Sequence, residues 1–217
     1  MSVEEIFRLD TRTVEKVSVP KAFFIFGLSL LALSLTTVFN LYFAIRLDDL
    51  LAYYQQTGIV YDWQTNIFLF SISKAFLGLS FLLVGVFYTR VGVYLRIPNA
   101  RSSSSLFTLW GLMHVYDSAL LILENPSPDD ILASLESIPE LYIYLLYIIP
   151  ILAILLMGYG FVRLPSIVAF SNLIRFSGLI LIVGGLLYIF RANIGSIIIA
   201  AGFLLASVTF IKESRSG

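Results

Sequence analysis

Four ionisable side chains fall inside strongly apolar stretches of the sequence: Lys74, His114, Asp117 and Arg175. Such groups are costly in hydrocarbon, so where they occur they serve as ion pairs, proton relays or parts of a solute path. Lys74 lies about 7 residues inside its stretch, or about 10 Å deep at 1.5 Å per residue. Asp117 lies about 6 residues inside the next one, about 9 Å from the same boundary. Consecutive stretches with a short connection pack as antiparallel neighbours, so a lysine and an aspartate at matching depth are expected to pair. Left apart, each would cost about 2.5–3.5 kcal/mol on insertion scales.

Spacing says where these groups point. Ser71, Lys74, Gly78 and Gly85 share one helical face, and small residues on a face admit a neighbouring helix. Trp110, His114, Asp117 and Leu121 share a face on the following helix. Asn40 lies at about the depth of Asp117. An intramembrane polar cluster of Asn40, Lys74, His114 and Asp117 is therefore expected. A staple fixing helix register is its plain reading, and a transport or proton-handling site its sharper one. Arg175, next to Ser171 and Asn172, forms a secondary candidate. It either lies near mid-membrane or snorkels to the inner headgroups.

Catalytic signatures are missing: the sequence holds no HExxH, no P-loop and no glycine-framed nucleophile. There are no cysteines, and His114 is the one histidine. Thiolate and paired-histidine metal or haem ligation are thereby excluded, and neither a metal nor a cofactor is expected. Zero formal net charge gives nucleic acid nothing to recognise.

The elements that must position these groups follow from hydropathy. Of 217 residues, 59% are hydrophobic and 13% charged, with mean hydropathy +0.92. Soluble domains carry about 25% charged residues, so the expectation is an all-α integral membrane protein. A span needs about 20 apolar residues. Six candidates meet that length, over about 22–45, 66–89, 106–123, 141–162, 166–190 and 194–211, within a transmembrane domain over 22–212. Residues 1–21 read as a short cytoplasmic segment rather than a cleavable signal, and 213–217 as a cytoplasmic tail.

Orientation follows from lysine and arginine. Arg8, Arg12, Lys16, Lys21, Arg90, Arg96, Arg101, Arg163, Lys212 and Arg215 fall on one side, against Arg46 and Arg191 on the other. Both termini are thus expected in the cytoplasm, and the acidic loops outside a cell membrane. In those outer loops Ser127-Pro128-Asp129-Asp130 reads as a helix start. Ile131, Leu132, Leu135 and Ile138 give that helix one apolar face, so it is expected to lie on the membrane surface as an anchor or as a lid. Leu47, Leu50, Leu51 and Tyr54 are expected to form a second surface helix, with Tyr53, Tyr61 and Trp63 at headgroup level. Pro150 should kink the fourth span.

Three functions fit this pattern. An accessory or structural subunit of a larger membrane complex needs no catalytic group. In that reading partner proteins, or a second copy, dock through small-residue helix faces such as Gly202-x-x-x-Ala206. A small-solute, ion or proton-coupled transporter or channel would use the Lys74–Asp117–His114 cluster. A quinone- or haem-associated redox subunit comes third. The lipid bilayer is a partner in all three.

Overall fold

The computed structural model describes residues 3–137, 140–164 and 171–215. Ile138 and residues 165–170, where the fifth span was expected to begin, lie outside them. The described residues form seven helices, α1 Val3–Thr57, α2 Trp63–Tyr94, α3 Ala100–Glu124, α4 Pro128–Ser137, α5 Glu140–Val162, α6 Ser171–Phe190 and α7 Ala192–Ser214. The chain is an all-α polytopic membrane bundle. Five helices are long and apolar enough to cross a membrane: α1 from Lys21, α2, α3, α6 from Asn172, and α7. The sequence leads one to expect six. The remaining long helix, α5, has 23 residues, about 35 Å of helix, but its apolar stretch among described side chains covers only Tyr147–Val162.

Apart from α4, the helices stand in chain order around a closed ring. Each packs on its successor, and α7 packs back on α1. Every seam is closed by small or hydroxyl side chains, as helices without a hydrophobic drive between them require. Between α1 and α2, Asn40 Nδ2 donates to Ser73 Oγ at 3.1 Å, and Thr36 Oγ1 donates to Ser80 Oγ at 3.3 Å. At the α3–α5 seam, Ser103 Oγ donates to the Ala153 carbonyl at 2.9 Å. Gly158 and Gly178 face each other across α5 and α6, each so close that a Cβ would sit under 3.0 Å from the other's carbonyl oxygen. Ser34 Oγ closes the ring from α1 to the Ala200 carbonyl of α7 at 2.8 Å. The outward faces carry large apolar side chains such as Phe39, Phe68, Leu79 and Phe176, suited to lipid.

Two expectations about the outer loops change. Leu47, Leu50, Leu51 and Tyr54 do not form a separate surface helix; they continue α1 without a break to Thr57. No glycine or proline interrupts residues 28–57, and the helix stops at Gly58, whose φ of 69° is a left-handed conformation that glycine adopts without strain. Leu47 and Leu51 are buried with Trp63 and Ile67 in a small core, and Ile131 and Leu132 of α4 pack against it. Trp63 is accordingly a core residue rather than a headgroup anchor: it is 7% exposed, and its Nε1 donates to the Pro126 carbonyl at 2.7 Å. Tyr53 and Tyr61 are exposed.

Helix α4 starts as its sequence implies. Ser127 Oγ accepts from the Asp130 amide at 3.2 Å, while the Asp130 carboxylate accepts from the Ser127 amide at 2.9 Å and its hydroxyl at 2.6 Å. This is a reciprocal cap with aspartate in the position usual for glutamate. Tyr54 Oη donates to Asp129 at 2.9 Å, tying α4 to the end of α1.

Candidate functional site

The α2–α3 seam carries the charged pair. Lys74 Nζ lies 3.1 Å from Asp117 Oδ2, with the side chains 18% and 19% exposed. Antiparallel packing brings successive matched positions together along this seam. Ser118 Oγ donates to the Ser71 carbonyl at 2.9 Å, one turn from the ion pair. One turn the other way, Gly78 and Gly111 approach so closely that a Cβ on Gly78 would lie 2.8 Å from the Gly111 carbonyl oxygen. Further along, Gly85 faces Thr108 and the Ser104 carbonyl. The Lys74 ammonium also sits 5.9 Å from the Phe70 ring centroid, a favourable cation–π placement.

The four residues expected as one cluster divide into two groups. Lys74 and Asp117 belong to the seam. Asn40 and His114 instead line a cavity of about 230 Å³ on the ring axis, and neither Lys74 nor Asp117 lines it. The division follows from helix geometry: three residues turn the chain by about 300°, so His114 and Asp117 diverge by about 60° on α3. One faces the axis and the other faces α2. His114 is held between rings, stacked on Phe81 at 5.9 Å and edge-on to Trp110 at 4.5 Å between centroids. Its Nδ1 is buried without a hydrogen-bond partner among the described residues.

All six helices of the ring contribute to this cavity. It reaches from Ala192 and Asn193, at the α6–α7 turn, to Phe203 on the same helix, a depth of about 16 Å. It therefore occupies the half of the bundle nearer α4. Pro150 lies in its wall, within α5. Thr37, Asn40, Tyr188, Asn193 and Ser196 add polar groups to a mainly apolar surface, and among the described residues no carboxylate, lysine or arginine lines it. None of the described side chains of α4 lines it; Ile131 and Leu132 of α4 pack instead on the core between the ends of α1 and α2.

Below the cavity the axis is filled with aromatic rings. Phe26, Tyr88, Phe161 and Phe210 are fully buried. Phe26 stacks on Tyr88 at 5.7 Å and meets Phe210 edge-on at 4.9 Å, while Phe161 meets Tyr88 at 5.8 Å and Phe210 at 6.0 Å. These rings come from α1, α2, α5 and α7, and Phe107 of α3 extends the layer to Phe203 at 6.4 Å. Spacing did not single out Tyr88. Its hydroxyl is enclosed with no hydrogen-bond partner among the described residues, close above Gly160, where a Cβ would lie 2.7 Å from it.

Arg175 lies away from both groups. Its Nε and Nη2 donate to the Leu164 carbonyl at 3.1 and 2.6 Å, satisfying an acceptor just past the end of α5. Asn172 is exposed beside it. Gly202 packs against Leu181 of α6 and Ala206 is fully buried, so this small-residue face is used within the ring. Among the described residues no group of three or more histidines, aspartates or glutamates is placed to hold a metal ion.

The fold and the axial cavity define the class, a polytopic α-helical membrane protein with a closed ring of helices around a half-filled axis. Compared with models of known protein families, with curated proteins and with solved structures, the chain matches none.

Proposed function

We propose that this chain is a small-solute transporter of the cell membrane, crossing it six times with both ends in the cytoplasm. The central cavity is its binding place in the outward-facing state. One observation carries the reading: the ring encloses a cavity lined by every one of its helices, and a layer of buried aromatic rings closes the axis beyond it. A cavity confined to one half of the bundle and sealed from the other is what one end-state of alternating access requires. The distribution of lysine and arginine puts the cavity half outside. The Gly202–Ala206 face is occupied within the chain, so an accessory subunit would meet its partners through another face.

The absence of cysteine makes the test direct. Single cysteines at Thr37, Ser196 and Ser207 are introduced into the full chain in liposomes and treated with a membrane-impermeant maleimide from either face. Thr37→Cys and Ser196→Cys, in the cavity wall, are expected to label from the α4 side. Ser207→Cys, fully buried on α7, is expected to resist from that side and to label from the other when the carrier turns. Folded protein in which Thr37→Cys and Ser196→Cys resist from both faces overturns the reading. So does a Ser207→Cys that never labels under any condition.

The redox reading keeps one favourable observation, since an apolar slot bearing Asn40 and His114 has the features a quinone ring needs. Quinone extracted in stoichiometric amount from the purified protein would establish it, and quinone-free protein would dismiss it.

A further inference from the structure

We infer that the axial cavity selects an uncharged molecule of about one ring in size, bearing a hydroxyl or carbonyl that hydrogen-bonds the Asn40 amide. The inference rests on the cavity being a binding place, as proposed above, and adds the chemical class of what it takes. Size comes first. Apolar cavities of about 150 Å³ take up benzene; at about 230 Å³ this one admits a six-membered ring with a short substituent and little more.

Charge comes next. Among the described residues no carboxylate, lysine or arginine lines the cavity, and Lys74 and Asp117 are already paired with each other at 3.1 Å. An ion entering would leave water and meet no counter-charge, which a small neutral molecule avoids.

Hydrogen bonding is the third argument. Most buried polar atoms in proteins have a partner, so an occupant of the cavity must find its own among the polar groups of the wall, and Asn40 is one of them. Asn40 spends one amide hydrogen on Ser73, which leaves its carbonyl and second hydrogen for an occupant. Trp110 and Phe81, which hold the His114 imidazole between them, give the wall aromatic faces for the ring of the occupant.

A matched series of one-ring probes tests the class on the full chain in lipid nanodiscs. The protein has two tryptophans; Trp63→Phe leaves Trp110, in the cavity wall, as the sole reporter. Phenol and benzamide are expected to shift Trp110 fluorescence saturably. Toluene, with no hydrogen-bonding group, should bind about fivefold more weakly, the worth of a single hydrogen bond. Benzoate and benzylammonium should give no saturable shift. Asn40→Leu should reduce phenol to about the toluene level, and Asn40→Ala gives the same comparison if Asn40→Leu fails to fold. Benzoate or benzylammonium binding as tightly as phenol overturns the inference, as does toluene matching phenol or no saturable shift from any probe. The outcomes also separate the two proposals. Saturable phenol binding with Ser207→Cys never labelling sinks transport and keeps the ligand class, whereas two-sided labelling without phenol binding does the reverse.

Discussion

Removing one partner of the Lys74–Asp117 pair should cost far more than removing both. At 3.1 Å the Coulomb attraction is about 1 kcal/mol in a water-like medium and about 5 kcal/mol at an effective dielectric of about 20. Part of this is offset by the desolvation both groups undergo in the folded bundle. The relevant comparison is an unpaired charge against no charge. A lysine alone at mid-helix in a membrane costs about 2.5–3.5 kcal/mol. Lys74 sits nearer the boundary, with 18% of its side chain exposed, and its long stem reaches toward the headgroups. Asp117→Asn should therefore destabilise by about 2 kcal/mol, whereas Lys74→Met with Asp117→Asn should return to within about 1 kcal/mol of the parent, as isosteric replacement of buried ion pairs commonly does. Unfolding in mixed micelles with rising dodecyl sulfate, followed by tryptophan fluorescence, gives the four corners of the double-mutant cycle. Single variants within 0.5 kcal/mol of the parent (about the additivity limit), or a double variant as unstable as Asp117→Asn, would refute the reasoning. Because neither residue lines the cavity, the double variant should also keep the labelling of Ser196→Cys from the α4 side.

Tyr88→Phe removes a buried hydroxyl that has no partner among the described residues, so thermal unfolding should be unchanged or raised by up to about 1 kcal/mol. Tyr88→Ala opens the aromatic layer instead and should let Ser207→Cys label from the α4 side. Gly78→Val drives a side chain against the Gly111 carbonyl and Val115, and overpacking of that kind should cost about 1–3 kcal/mol in the same micelle assay. Hydrogen bonds from the Ser127 hydroxyl and amide hold the Asp130 carboxyl below its ordinary 3.8. The cap it makes is complete above 3.8 and is lost as pH falls from there through the lowered folded value. Amide protection at Asp130 and Ile131, measured against the intrinsic rate at each pH, should fall over that acid window and stay flat above it, and Asp130→Asn should abolish the pH response.

The sequence made the apolar helices and the Lys74–Asp117 seam legible for the same reason. Hydrocarbon depth is a one-dimensional coordinate, and antiparallel neighbours place equal depths side by side. Helix length was less legible, because the hydropathy of α1 falls at Arg46-Leu47-Asp48-Asp49 while nothing stops the helix before Gly58. The third span is expected from about residue 106, yet α3 opens at Ala100: Asn99 turns the chain with φ at 61°, and Ser103 spends its hydroxyl on α5. The side of α3 on which His114 falls depends on where α2 and the axis lie, and a shared helical face spans too wide an arc to separate them. The cavity had no sequence signal at all. It is the space left where six helices converge, and its wall is contributed a few residues at a time from positions between Thr37 and Phe203.

The chain-order ring has a consequence for assembly. Most of its seams join helices adjacent in sequence along the ring, so their contacts close short loops and can form as each segment arrives. The α7–α1 seam is different: Ser34 and Ala200, whose hydrogen bond closes it, are 166 residues apart. Until α7 inserts, α1 through α6 can form at most an open horseshoe, without the wall made by Ser196, Ile199 and Phe203. The cavity thus comes into being when α7 docks rather than growing gradually, which ties the making of the axial wall to a single late contact.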